Sequence, residues 1–105
     1  MVAVVKLVAL YRHPGDREAF ERHYWEVHVP LARRMPGLRR VEISRVTGSP
    51  GGESPYYLMA EMYFDDPASL AAALQSAEGR AAGKDLMLFA GELVSLHTAE
   101  VVQAD

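Results

Sequence analysis

His28 is the side chain best placed to do chemistry in this sequence. It follows Phe20 and Tyr24 at intervals of eight and four residues, two and one helical turns, at the flank of an aromatic stripe. A neutral imidazole there could face a pocket, and its ordinary pKa of about 6.5 suits proton transfer near neutrality. Pro30 lies two residues further on. It lacks a backbone donor and disfavours helical dihedrals at Val29, which predicts a kink or break just after His28. Such a break would fix the ring's orientation for catalysis, or would let the imidazole cap freed backbone carbonyls and do nothing chemical.

Tyr24, Phe89, Tyr11 and Tyr63 are the candidate substrate-binding residues: aromatic walls for an apolar ligand, with phenols able to donate to a ligand oxygen. Tyr57 and Trp25 could join them, although ordinary core or interface packing accounts for most of these rings. The other histidines are weaker candidates. His23 and His28 stand five residues apart, about 140° on an α-helix, so they cannot share a metal as an i, i+4 pair can. No carboxylate stands at a spacing that supports both, so no metal site and no cofactor are expected. His97 alternates with Ser95 and Ala99, and reads as a core histidine or one looking into the pocket. His13 precedes a Pro-Gly turn. Glu61, the one acid in a greasy strand, is expected to pair with Lys6, the alternative being an acid/base group of raised pKa. The Gly48–Gly52 loop lacks the Gly-Lys-Ser/Thr that a phosphate cradle needs. The Arg33/Arg34/Arg39/Arg40 cluster reads as a solvated face that could attract an anion.

The elements that must position these groups follow from pattern. Val2–Tyr11 is a Val/Leu/Ala-rich strand closed by Pro14-Gly15. Asp16 is an N-cap, and Phe20, Tyr24, Val27, Leu31 and Met35 form the apolar stripe of the first helix. Pro36-Gly37 ends that stretch and Leu38–Val46 is a second strand. Thr47–Pro55, with three glycines and two prolines, is a loop. Tyr56–Phe64 is the third strand. Asp66-Pro67 starts a second helix striped by Leu70, Ala73, Leu74 and Ala77. Gly79 and Gly83 should interrupt it before a helical turn through Ala82, Leu86, Phe89 and Ala90. Leu93–Val102 is the last strand. The order βαββαβ makes a ferredoxin-like α+β fold, an antiparallel sheet with helices on one face, the simplest architecture for residues 1–105 as one domain.

The strands predict an assembly. Ala3, Val5, Leu7, Ala9 and Tyr11 share one face of the first strand, and Val2, Val4, Val8 and Leu10 the other. Tyr56, Leu58, Ala60, Met62 and Phe64 oppose Tyr57, Met59, Glu61 and Tyr63. One helical layer covers one face only, and leaving the other in water forgoes about 1.5–3 kcal/mol per large side chain. A homodimer with that face buried is the expected solution. Composition narrows the rest. The chain of 105 residues carries a formal charge of −3, which argues against nucleic acid as a partner. The lack of cysteine excludes disulfides and thiolate chemistry. The apolar run from Val2 to Leu10 is too short for a membrane span, so no membrane partner is expected and the setting is read as cytoplasmic.

The elements Phe20-x-x-x-Tyr24-x-x-x-His28-x-Pro30, Pro36-Gly37-Leu38 opening a strand, and Asp85-x-x-x-Phe89 resemble the EthD family of the dimeric α/β-barrel superfamily over nearly the whole chain. The resemblance implies two ferredoxin-like subunits closing into a shared barrel, with a pocket in each between sheet and helices. It also strengthens the catalytic reading of His28 and the pocket reading of Tyr24 and Phe89. Relatives acting on polyketide-like aromatics imply general acid/base chemistry, of lyase, cyclase or isomerase kind, on a small apolar oxygenated or aromatic ligand. An oxidoreductase, cofactor-free or haem-linked, and a non-catalytic ligand-binding dimer are the alternatives.

Overall fold

Strand-forming runs and helix caps fall where the pattern places them. The computed structural model describes residues 4–105, so the predicted strand residues Val2 and Ala3 lie outside the described part. In order come β1 (Val5–Arg12), α1 (Arg17–His23), a π-helical segment (Tyr24–His28), α2 (Val29–Ala32), β2 (Arg40–Arg45), β3 (Tyr56–Phe64), α3 (Pro67–Gln75), α4 (Ala77–Ala90) and β4 (Val94–Glu100). The four strands form one antiparallel sheet in the order β2-β3-β1-β4, the ferredoxin-like arrangement. Asp16 and Asp66 cap α1 and α3, accepting from the backbone N–H groups of Ala19 and Ser69 at 3.0 and 2.7 Å.

The core lies between the sheet and the helices. Val5, Leu7, Ala9 and Tyr11 of β1 and Leu58, Ala60, Met62 and Phe64 of β3 are buried there against Phe20, Tyr24, Leu70, Ala73 and Leu86. The alternation expected for β1 and β3 therefore holds, except at one point. Tyr11 pairs with Leu58 but Arg12 pairs with Tyr56, a bulge that leaves Tyr57 without a partner on β1. The bulge turns Tyr57 into the core, edge-on to Phe20, rather than onto the open face. On that face Lys6 Nζ meets Glu61 Oε2 at 2.6 Å, the pairing expected for the acid. The aliphatic side chains Val4, Val8, Leu10 and Met59 on the open face are diluted by polar neighbours, because β4 sets His97 and Ser95 opposite Val8 and Leu10 and β2 sets Ser44 opposite Met59.

Two helical expectations are corrected. Gly79 and Gly83 do not interrupt a helix, since α4 runs unbroken through both. The break falls at Ser76, whose extended backbone ends α3 and whose hydroxyl caps α4 by accepting from the Gly79 N–H at 2.9 Å. Gly79 is there because α4 starts against the end of α3: a Cβ would sit 2.0 Å from the Ala73 carbonyl oxygen. The second correction concerns Pro30. Val29 keeps helical dihedrals (φ −59°, ψ −46°), and the helix continues to Ala32. The disturbance is displaced into the preceding turn, where the Val29 N–H reaches the carbonyl of Tyr24, five residues back. Pro30 then occupies the first turn of α2.

Candidate functional site

The π-helical turn changes which residues face the core. One extra residue in the turn resets the helical phase, so the predicted stripe through Val27 and Leu31 gives way to one through His28, Val29 and Ala32. Val27 is exposed and His28 is buried. The same reset overturns the expected separation of His23 and His28. The extra residue makes their five-residue interval behave as an i, i+4 step, and both rings turn towards α4.

They meet on Asp85. His23 Nε2 lies 2.8 Å from Asp85 Oδ1, and His28 Nδ1 lies 3.1 Å from Asp85 Oδ2. A carboxylate accepts only, so each imidazole donates through the nitrogen that faces it. His28 thus carries its proton on Nδ1 and keeps a free lone pair on Nε2. The side chains of His28, Asp85 and His23 are 10%, 13% and 35% exposed, a gradient from core to surface. Phe89 packs against both rings, with centroids 4.5 Å from His23 and 5.2 Å from His28. Burial pushes the pKa of His28 below its usual value, and the bond to Asp85 works against that shift. Among the described residues no group of three or more His, Asp or Glu side chains is arranged to hold a metal ion.

Two small cavities flank His28. One, of about 20 Å³, is walled by Tyr11, Tyr24, His28, Val41, Ile43 and Met62, with Arg33 at its rim. The other, of about 70 Å³, lies between β1, α2 and α4 and is lined by Leu7, Tyr11, His28, Met35, Leu86 and Leu96 among others. His28, Tyr11, Ala32 and Met62 are common to both. Tyr11 and Tyr24 are 1% and 2% exposed, and their rings meet edge-on at 5.5 Å. Burial raises the pKa of both phenols, so they remain protonated donors.

The structure thus brings together three of the five predicted site residues around one space: His28, Tyr24 and Tyr11. Phe89 is in the same cluster but supports the imidazoles from the side of a surface groove shared with Pro14, Phe20 and Leu93. Tyr63 does not belong to the site. It lies on the open face of the sheet, beneath the Arg40 guanidinium and near Lys6, with its hydroxyl 3.3 Å from Glu42. Strand alternation decides this, because Tyr63 is one residue from the core-facing Met62. His97 is likewise neither core nor pocket: it is exposed on β4, opposite Val8 on the open face. His13 donates to the Ser54 carbonyl at 2.9 Å and pins the loop before β3. Sequence reasoning noted Asp85 only within the Asp85-x-x-x-Phe89 element and His23 only as a metal ligand set aside; what it missed is that both meet at His28.

Comparison with known proteins gives the same architecture. The family model described as EthD domain matches residues 12–92. An "uncharacterized 11.0 kDa protein in thcB-thcC intergenic region" of Rhodococcus erythropolis is 33% identical over 96 residues, covering 90% of this chain and 93% of that protein. The crystal structure of an EthD-family protein from Bacillus halodurans is 52% identical, covers 92% of this chain and 97% of that one, and superposes with a TM-score of 0.90. A hydroxynitrile lyase from Passiflora edulis shares the fold at 10% identity, with coverages of 97% and 96% and a TM-score of 0.77. The fold also recurs in a dimeric ferredoxin-like protein of Thermobifida fusca (14% identity, TM-score 0.70) and in the cofactor-independent oxygenase SnoaB of Streptomyces nogalater (15%, 0.64).

Proposed function

This chain belongs to the EthD family, and on that premise we propose that His28, oriented by Asp85, is the general base of an enzyme acting on a small apolar oxygenated compound. The observation that carries this reading is the pairing of His28 Nδ1 with Asp85 beside a cavity walled by two protonated phenols. His28 Nε2 would take a proton from an acidic O–H or C–H of the ligand. The imidazolium formed keeps its Nδ1–H on Asp85, whose negative charge balances it in a water-poor site. Tyr11 and Tyr24 would donate to the oxygen on which negative charge develops. The electron pair released on the ligand then expels a leaving group, shifts a double bond or reacts with oxygen, and His28 returns the proton where the product needs it. The ligand's structure decides among these outcomes. A lyase- or isomerase-like course needs only the side chains described, without a cofactor and in a cytoplasmic setting; the cofactor-independent oxygenase of the same fold keeps oxygenation as the second reading.

The cavities are smaller than an aromatic ring requires, about 150 Å³ in a dry protein interior. Met35 and Met62 line them, and unbranched thioether side chains yield readily to an incoming group. Ligand entry therefore proceeds by displacing methionine side chains. The open face of the sheet, with Val4, Val8, Leu10 and Met59 along its centre, is assigned to a second copy, and a neighbour of the same fold is described as dimeric. The homodimer would bury more than about 1,200 Å², and a monomer in sedimentation at micromolar concentration would remove this assignment.

The base is tested without knowing the natural substrate. Nitrobenzisoxazole, opened by abstraction of one C–H proton, reports a base in an apolar site. The protein should open it faster than free imidazole does, and His28→Ala should lower the rate by about 10²–10⁴-fold with an unchanged circular dichroism spectrum. Equal rates for the two proteins would overturn the reading.

A further inference from the structure

The second imidazole on Asp85 has no part in the reaction just described, yet its geometry is as defined as that of the first. His23 and His28 occupy the two oxygens of one carboxylate, at 2.8 and 3.1 Å, and the π-helical turn is what makes both reach it. A rare backbone feature that costs helical regularity is here spent on bringing two titratable rings to one acid. We propose that His23 is a positioning residue that governs the basicity of His28 through the shared Asp85 carboxylate, so that the protonation state of the outer ring sets the strength of the inner base. The inference rests on the reading of His28 as a base.

The argument is one of charge. With His23 neutral, Asp85 accepts one N–H from each ring and its negative charge is available to stabilise an imidazolium at His28. When His23 takes a proton from water on its outer nitrogen, the carboxylate is claimed by a cation 2.8 Å away. A second cation at His28 then faces the first across a single acid and is disfavoured. The route by which His23 senses solvent is present: it is the most exposed of the three groups and lines the surface groove with Asp16 and Phe20. The other ionisable groups facing His28 are Tyr11 from β1, Tyr24 from its own helix and Arg33 beyond α2, while β2 and β3 present only Val41, Ile43, Ala60 and Met62. Asp85 is the anion that faces both rings. Phe89, packed on both, holds their separation and excludes water between them.

The test is a titration of the histidine ring nitrogens by NMR in the wild-type protein and in His23→Gln, which keeps a donor for Asp85 and removes the titratable ring. In the wild type the His28 signals should move in two steps. In His23→Gln they should move in one step with a higher midpoint, because the competing cation is gone. Asp85→Asn should uncouple the two rings as well. Identical, single-step His28 curves in wild type and His23→Gln would overturn the proposal. The wild-type curve alone decides it if the variant fails to fold, since a single step there means no coupling. A positive titration combined with unchanged nitrobenzisoxazole opening by His28→Ala would retain the coupling and remove the catalytic reading, so the two fail separately.

Discussion

Two partly buried carboxylates are tied to the first helical run, and they have opposite company. Glu21 accepts from the Tyr57 hydroxyl, from Trp25 Nε1 at 2.9 Å and from Arg45 Nη2 at 3.3 Å. These donors keep their protons throughout the neutral range, and the Tyr57 bond does most to hold the Glu21 carboxyl below its usual pKa. Asp85 accepts only from imidazoles. Both acids hold elements together, Glu21 joining α1 to β3 and β2, Asp85 joining α4 to the helical run. The difference is that the Glu21 clamp has fixed charges while the Asp85 clamp has titratable ones and adjoins a cavity. A carboxylate surrounded by permanent donors secures the fold; one surrounded by histidines responds to protons.

The contrast breaks most visibly in turnover. Asp85→Asn replaces one acceptor oxygen by a donor, so His28 loses the partner that fixes its tautomer. Opening of nitrobenzisoxazole should fall by about 10²–10⁴-fold, as with His28→Ala. Glu21→Gln, which keeps an acceptor for Tyr57 and lines neither cavity, should leave the rate within about twofold of wild type, a change too small to reflect loss of a positioned base. Comparable losses in the two variants would erase the distinction.

Stability should order the two acids the other way. Glu21→Ala strips the acceptor from a buried Tyr57 and from Trp25 at once, and should cost about 1 kcal/mol in urea unfolding. Asp85→Asn still offers both imidazoles a hydrogen-bonding group and should cost less. A greater loss at Asp85 than at Glu21 would mean that the histidine cluster is chiefly a structural clamp.

The fold was legible in the sequence because each signal was local. Asp16 and Asp66 mark helix starts, the Thr47–Pro55 loop separates β2 from β3, and alternation along β1 and β3 gives the core face directly. The site was legible only as far as His28, Tyr24 and Tyr11. Tyr63 failed because the alternation that buries Met62 sends its neighbour to the opposite face. Tyr57 moved inward because a bulge has no sequence signature here. The meeting of Asp85 with His23 and His28 was not legible because a π-helical turn shifts phase by one residue, and a periodicity of 3.6 cannot anticipate that. Pro30 was the cue, but its effect was assigned to Val29, just after His28, rather than to the turn before.

The smallest effect is the most specific, and it lies in how stability depends on pH. The neutral form of His28 is favoured in the folded protein, chiefly by burial, so the unfolded chain binds the proton more readily. As pH falls below the ordinary histidine value of 6.5, the unfolded state gains protons that the folded state refuses, and stability declines. Glu21 has the opposite deviation. Its carboxyl is held below the ordinary 4.5, so its contribution is complete above that value and disappears as pH falls through the folded-state pKa. Asp66, lowered by the Ser69 cap, behaves in the same way from 3.8. The windows therefore open at different points: that of His28 at 6.5, extending down to its lowered folded-state value, and those of Glu21 and Asp66 at 4.5 and 3.8. Urea unfolding at half-unit intervals should give a stability curve that falls through the upper window in the wild type. His28→Gln should flatten that part and leave the acid limb intact, while Glu21→Gln should shallow the acid limb only. If His28→Gln leaves the upper window unchanged, the buried imidazole accommodates its proton in the folded state, and the contrast between a responsive and a fixed carboxylate loses its physical basis.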